Sequence, residues 1–139
     1  MNSMRKTMAT ALGAGAIAVG GCGGGDDEPN AERFEGQEGE VARVVDQLGD
    51  AARAGDVKSI CEDLITRNLQ ISIRTAAGTS CAQEFEENIV SENTRFTIDD
   101  ITVQEGGRAA TASVTDQEDR KSDLVLQREG DGWRIARIG

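Results

Sequence analysis

The spacing of apolar residues changes once along the chain, near Ser91, and this change limits the fold more than any other feature of the sequence. Between residues 38 and 90, apolar residues recur at spacings of three and four, which is typical of amphipathic helices. Between residues 96 and 138 they alternate with polar residues, which is typical of strands that bury one face. The sequence therefore predicts an α+β domain whose helices cover one face of an antiparallel sheet.

The pattern predicts about three helices in the first half of this domain. The first helix covers residues 38–54 and ends at Gly55, and Asp56 is placed to cap the second helix. The apolar stripe of the second helix includes Cys61. Residues 69–75 fit a short strand or a continuing helical turn, and we favour the helix.

The third predicted helix begins at Ser80, because Ser80 and Gln83 match a capping box. Four strands follow. The alternation changes phase at residues 99–100, which predicts a bulge or a bend in the first strand. Glycine-rich turns at residues 105–108 and 129–132 predict hairpins, and the sequence thus predicts a four-stranded antiparallel meander.

Residues 1–21 have the character of a signal peptide. Arg5 and Lys6 precede an uncharged, small or apolar segment at residues 8–21, which is too short to span a bilayer. The segment ends in Val19-Gly20-Gly21-Cys22, which resembles a bacterial lipobox. This resemblance implies that Cys22 carries a lipid and that the mature chain is anchored to the outer face of a bacterial cell membrane. The alternative is a plain secretory signal with an incidental cysteine.

Residues 22–38 are rich in glycine and acidic residues and contain the only proline, which predicts a flexible tether before a single domain at residues 39–139. Removal of residues 1–21 takes away two basic and no acidic residues. The mature chain then has 13 basic and 25 acidic residues, a net charge of −12. This charge argues against a nucleic-acid partner and against electrostatic membrane binding, so the lipid must provide the attachment.

With Cys22 assigned to the lipid, Cys61 and Cys81 remain as an even pair outside the cell. A disulfide between them is predicted, and a loop of this size corresponds to ~3 kcal/mol of stabilisation in the chain-entropy model. The alternative is two free, buried thiols.

Two features resemble a known family. Gly55-Asp56 separates the first two helices, and the last turn and strand contain Gly130-Asp131-Gly132-Trp133-Arg134-Ile135. Residues 38–139 thereby resemble the nuclear transport factor 2-like domains of small bacterial lipoproteins. The family implies a cone in which a curved sheet bends around the helices, often with a pocket between them and often with dimers. This chain is short for the family, which implies a shallow or filled pocket, and a homodimer is compatible with the resemblance.

Trp133, Phe85 and Phe96 are the candidates for the wall of such a pocket. For Trp133 the competing interpretation is a core side chain at the junction of helices and sheet. The chain contains no histidine and no tyrosine, which excludes histidine-based metal sites, histidine general bases and serine–histidine–aspartate catalysis.

The family includes isomerases and cyclases in which a pocket carboxylate acts with tyrosine or histidine. Asp99, Asp100 and Asp116 are candidates for a carboxylate base acting alone, although acids at strand ends are usually solvated. The acids at residues 26–28 and 99–100 lack the spacing of a dedicated calcium loop, so we predict no metal and no cofactor. The sequence favours a non-enzymatic, membrane-anchored envelope lipoprotein that binds a small ligand or a protein. The alternative is a small carboxylate-based isomerase-like or cyclase-like enzyme.

Overall fold

The computed structural model describes residues 28–139 and places helices before strands, which confirms the predicted α+β class. The predicted signal peptide, Cys22 and the first acids of the tether lie outside the described residues. The helices are α1 (Gly36–Ala54), α2 (Val57–Ser59), α3 (Arg67–Ala76) and α4 (Cys81–Asn88). The strands are β1 (Phe96–Val103), β2 (Ala109–Asp116), β3 (Lys121–Glu129) and β4 (Gly132–Ile138).

Helix α1 is the longest helix of the described part of the chain, and it ends where the sequence predicts. Gly55 adopts a left-handed conformation with φ of 70°, and its N–H donates to the carbonyls of Ala51 and Ala52. The N–H of Asp56 also donates to Ala51 at 2.9 Å. These bonds satisfy carbonyls that the helix end would otherwise leave without partners, so the glycine fixes the point at which the chain turns.

The second predicted helix is shorter than expected. Asp56 caps α2 as predicted, accepting from the N–H of Ser59, but α2 is a single turn that continues into a π-helical turn over Ile60–Leu64. The chain then becomes extended at Ile65, because this segment pairs with β4. Ile65 forms a parallel bridge with Ile135, and the N–H of Thr66 donates to the Ile135 carbonyl at 2.9 Å.

Residues 69–75 are helical, which confirms the favoured alternative, but they belong to a separate helix. The side chain of Thr66 accepts from the N–H of Leu69 and so begins α3. Ser80 begins α4 as predicted, by accepting from the N–H of Gln83. Only half of the predicted capping box forms, since the Gln83 amide donates to Glu87 one turn later.

The four strands form an antiparallel meander in the order β1-β2-β3-β4. The register between β1 and β2 shifts between Ile98 and Asp100, which confirms the predicted bulge. A second irregularity lies opposite Val125 and Leu126, where Ala136 is the extra residue on β4. Bulges bend strands and increase their twist, so both positions favour a sheet that curves.

The core lies between α1 and one face of the sheet. The residues of α1 in the core are Val41, Ala42, Val44, Val45 and Leu48. The sheet contributes Ile98, Ile101, Ala110, Ala112, Val114, Leu124, Leu126, Trp133 and Ile135. The segment between α1 and the sheet contributes Ile60, Leu64, Ile65 and Phe85. Ala110 and Ala112, two of the three inward residues of β2, have small side chains and leave room for α1 above the sheet. All these residues lie between positions 41 and 135, so a chain that starts at residue 22 keeps every one of them.

The end of the predicted tether packs against the domain. Asn30–Arg33 forms a short 3-10 helix, and Asn30 is only 6% exposed. The Asn30 amide donates to the Phe96 carbonyl and to Asp46 Oδ1, both at 2.7 Å. Its oxygen accepts from the N–H of Ile98 at 2.9 Å. Residues 30–33, which lie in the predicted tether, therefore pack against the domain.

The side chain of Asn30 bonds to the backbone at the outer edge of β1 as a neighbouring strand would. Its amide supplies one acceptor and one donor to the strand backbone, and Asp46 on α1 holds it by also accepting from the N–H groups of Asn30 and Ala31. An exposed strand edge is prone to pair with other chains, and this arrangement covers the first half of β1. One side chain thus joins the N-terminal segment, α1 and β1.

Replacement of Asn30 by alanine should destabilise the domain by about 2–3 kcal/mol, because it leaves the buried N–H of Ile98 without its acceptor. Asn68→Ala is the matched control, since Asn68 is exposed on α3. Urea unfolding measures both. A loss below about 0.5 kcal/mol for Asn30→Ala would show that the predicted tether does not contribute to the fold.

Candidate functional site

The space between helices and sheet, where the resemblance implies a pocket, holds core side chains. Trp133 is 4% exposed and Phe85 is 2% exposed. The indole N–H of Trp133 donates to Glu40 Oε2 at 3.3 Å, and the Arg128 guanidinium lies 4.7 Å from the centre of the ring. Trp133 therefore has the contacts of a core side chain whose polar atom reaches the surface at the edge of α1.

Phe96 occupies a different position from the other two aromatic candidates. It is half-buried and lines two concave sites, neither of which is lined by Trp133 or Phe85. The smaller site has a volume of about 140 Å³ and lies between Leu48, Thr94 and the β2–β3 loop. It is open to solvent and large enough to hold water. The three predicted wall residues thus do not form one pocket.

The larger site is an open cleft of about 910 Å³ where the N-terminal segment meets α1 and β1. Charged side chains of both signs surround it: Glu28, Arg33, Asp46, Asp50, Arg53, Glu92, Arg95, Asp116 and Asp119. Pockets for drug-sized ligands are mostly apolar and largely enclosed. This cleft is suited to water or a polar ligand, and sequence reasoning missed it because it is built around Asn30.

Several charged groups in the cleft already have partners. Asp46 accepts from Asn30 and Ala31. Arg53 donates to the Thr94 carbonyl at 2.8 Å and pairs with Asp50. Hydrogen bonds of this kind fix the cleft wall but leave fewer groups available to a ligand.

The three acids proposed as bases occupy different surroundings. Asp99 and Asp100 are exposed at the bulge of β1, and Asp99 accepts from the Thr115 hydroxyl at 2.6 Å. Asp116 lies at the end of β2 and touches both concave sites. Asp99 and Asp100 are solvated and Asp116 is partly buried at the end of its strand, and the sheet does not bring these three carboxylates together in the core.

Asp116 organises the loop between β2 and β3. Its carboxylate accepts from the N–H of Glu118 at 2.8 Å and from the N–H and Nε of Arg120 at 3.0 and 2.9 Å. Partial burial raises the pKa of Asp116, but the hydrogen bonds and the charge of Arg120 outweigh it, so the pKa lies below its ordinary value. A lowered pKa makes Asp116 a poorer proton acceptor at neutral pH, and this anion holds the loop instead.

The predicted disulfide is present. The sulfur atoms of Cys61 and Cys81 are bonded, and their Cα atoms are 6.1 Å apart. The bond connects the π-helical turn after α2 to the first residue of α4, and the loop that it closes contains the whole of α3. The prediction succeeded because Cys61 falls on the core side of its turn and Cys81 begins the next helix.

Two further observations concern the described part of the chain. Residues 28–139 hold no cluster of three or more potential metal-ligating side chains. None of their helices combines the length and the apolar character that a membrane crossing requires. Comparison with family models, with curated proteins and with solved structures gave no match.

The lowered pKa of Asp116 leads to a pH prediction. Because the folded-state pKa lies below the unfolded one, the stabilisation from this carboxylate is present above the unfolded value, near pH 4, and is lost as the pH falls through the lowered folded-state pKa. Carbon NMR of the Asp116 carboxyl should show this low titration, and the stability of Asp116→Asn should depend less on acid pH than that of the parent. Asp131→Asn, in the β3–β4 turn, is the control. A titration of Asp116 at or above the ordinary value would contradict the loop-holding role.

Proposed function

We propose that this protein is a lipid-anchored extracytoplasmic lipoprotein whose nuclear transport factor 2-like domain is a non-enzymatic binding module. The anchor would be the lipid on Cys22, and the domain would bind a protein partner through its surface. Each part of this proposal is supported by a separate observation.

The observation that carries the anchor is the Cys61–Cys81 disulfide. Structural disulfides belong to oxidising compartments, which supports a location outside the cytoplasm. The bond also accounts for two of the three cysteines and leaves Cys22, at the end of the lipobox-like sequence, outside the pair. Asn30, whose side chain bonds to β1, is the eighth residue after Cys22, so a lipid on Cys22 would hold the domain close to the membrane.

The family assignment is supported by the layout of the domain. Helices precede a four-stranded meander, they cover one face of it, and two bulges favour a curved sheet. The space under α1 holds Leu48, Phe85 and Trp133. A filled interior favours recognition at the surface over an enclosed small-molecule site.

The open cleft beside Asn30 favours a second candidate, the binding of a small polar ligand. Its volume of about 910 Å³ is sufficient, and it carries charges of both signs. The enzyme alternative receives no comparable support, since Asp99 and Asp100 are solvated and Asp116 is engaged by Arg120.

Cys22→Ser should abolish lipid attachment, because the serine hydroxyl does not replace the thiol that the lipobox presents. The full chain, expressed in a bacterium that processes lipoproteins, should incorporate a labelled fatty acid, and its mature N-terminal peptide should have the mass of lipidated Cys22. Gly24→Ser, outside the lipobox-like sequence, should leave both results unchanged. A parent chain without the label, or with an unmodified Cys22, would refute the anchor.

A further inference from the structure

Helix α3 contributes no buried residue to the domain. Leu69 and Ile73 are half-buried on its inner side, while Ile71 on the outer side is 49% exposed. Ile71 is the one large hydrophobic side chain in residues 28–139 that is exposed to this extent. A single exposed apolar residue is ordinary, so its surroundings decide whether it has a role.

Two arginines flank Ile71 on the same face of the helix. Arg67 precedes it by four residues and Arg74 follows it by three, a spacing that aligns all three side chains. Both arginines are exposed, and neither has an ion-pair partner within residues 28–139. We call Arg67, Ile71 and Arg74 the basic stripe.

The basic stripe lies in the longest acid-free stretch of the described chain. Residues 64–83 contain two arginines and no acidic residue, a charge of +2. The other described residues, 28–63 and 84–139, contain 23 acidic and 11 basic residues, a charge of −12. An anionic surface therefore repels the domain as a whole and attracts it at α3.

The disulfide explains how an unburied helix keeps its position. Cys61 and Cys81 are bonded to each other on either side of α3, and the Gln70 amide donates to the carbonyl of Cys61. Thr66 fixes the start of the helix by its hydrogen bonds to Leu69 and to β4. The crosslink thus holds α3 at the surface of the domain, although the side chains of this helix are not buried.

We propose that the basic stripe docks the domain on anionic lipid headgroups of the membrane that carries its anchor. This inference rests on the proposed lipid anchor, which supplies the proximity. Two arginines near an anionic surface shift the ratio of docked to undocked domain by roughly thirtyfold. Since the rest of the surface is acidic, docking selects one orientation.

The chain segment between Cys22 and the domain is long enough for this orientation. The N-terminal segment joins the domain at β1, and α3 packs beside β4 at the opposite edge of the sheet. Four strands spaced at ~4.8 Å place these edges about 15 Å apart. The chain from Cys22 to Asn30 spans at most about 29 Å when fully extended, so α3 can reach the membrane while the β1 edge stays away from it.

The test uses residues 22–139 with the Cys22 thiol coupled to a maleimide lipid in vesicles, which tethers the domain whether or not cells lipidate it. Cys61 and Cys81 are paired, so Cys22 is the reactive thiol. An Ile71→Trp variant reports contact through quenching by brominated lipids. Its emission should be quenched on vesicles containing phosphatidylglycerol and not on pure phosphatidylcholine, and about 1 M salt should remove the effect.

The controls separate docking from proximity. Thr102→Trp, exposed on β1, should show no such quenching. Adding Arg67→Gln and Arg74→Gln should relieve the quenching of Ile71→Trp, whereas Arg43→Gln with Arg108→Gln, which removes the same charge elsewhere, should not. Equal quenching at positions 71 and 102, or none at 71, overturns the proposal. An α3 that stays unquenched on vesicles but crosslinks to an envelope protein through position 71 also overturns it, in favour of a protein partner.

Discussion

The apolar stripe of α1 and the apolar face of the sheet bury each other, and this contact places every other element of the domain. Four strands with one apolar face cannot remain uncovered in water, and α1 is the described helix long enough to cross them. The small side chains of Ala110 and Ala112 on β2 allow this crossing. Two other segments of the chain cover the two edges of the sheet.

The two edges are closed by different means. At β1, Asn30 supplies a donor and an acceptor to the strand backbone and is held by Asp46 of α1. At β4, the extended residues Ile65 and Thr66 pair with Ile135. The second closure interrupts the helical segment and separates α2 from α3. The disulfide then links the residues on either side of α3, a helix that contributes no buried residue, and residues 64–83 carry a charge opposite in sign to that of the rest of the described domain.

The change of hydrophobic spacing was sufficient to predict the α+β class, and the glycines at the turns and at position 55 predicted the order of the strands and the C-terminal end of α1. The bulge at residues 99–100 was predictable because apolar residues can return to the same face after a phase change only if the strand takes in an extra residue. The disulfide was predictable from the number of cysteines and their place on the helical stripes. These features depend on the local sequence pattern or on the number of cysteines.

The features that sequence reasoning missed depend on contacts between distant residues. Asn30 follows a proline in an acidic, glycine-rich segment and has no apolar pattern around it, so nothing local indicates its bond to Ile98. The break at Thr66 exists because β4 offers a backbone carbonyl. Trp133, Phe85 and Phe96 were grouped by chemical type, and only the fold separates the two core residues from the one at the cleft.

The domain thus consists of a self-supporting α1–sheet core and a helix held in place by a crosslink. Hydrogen exchange of the oxidised and the reduced protein tests this division directly, since it reports local stability along the chain. On reduction, the amides of α3 should lose their protection, while those of β2 and β3 remain protected by the stability that is left after losing ~3 kcal/mol. Loss of protection in β2 and β3 together with α3, in one step, would contradict the division into core and crosslinked helix.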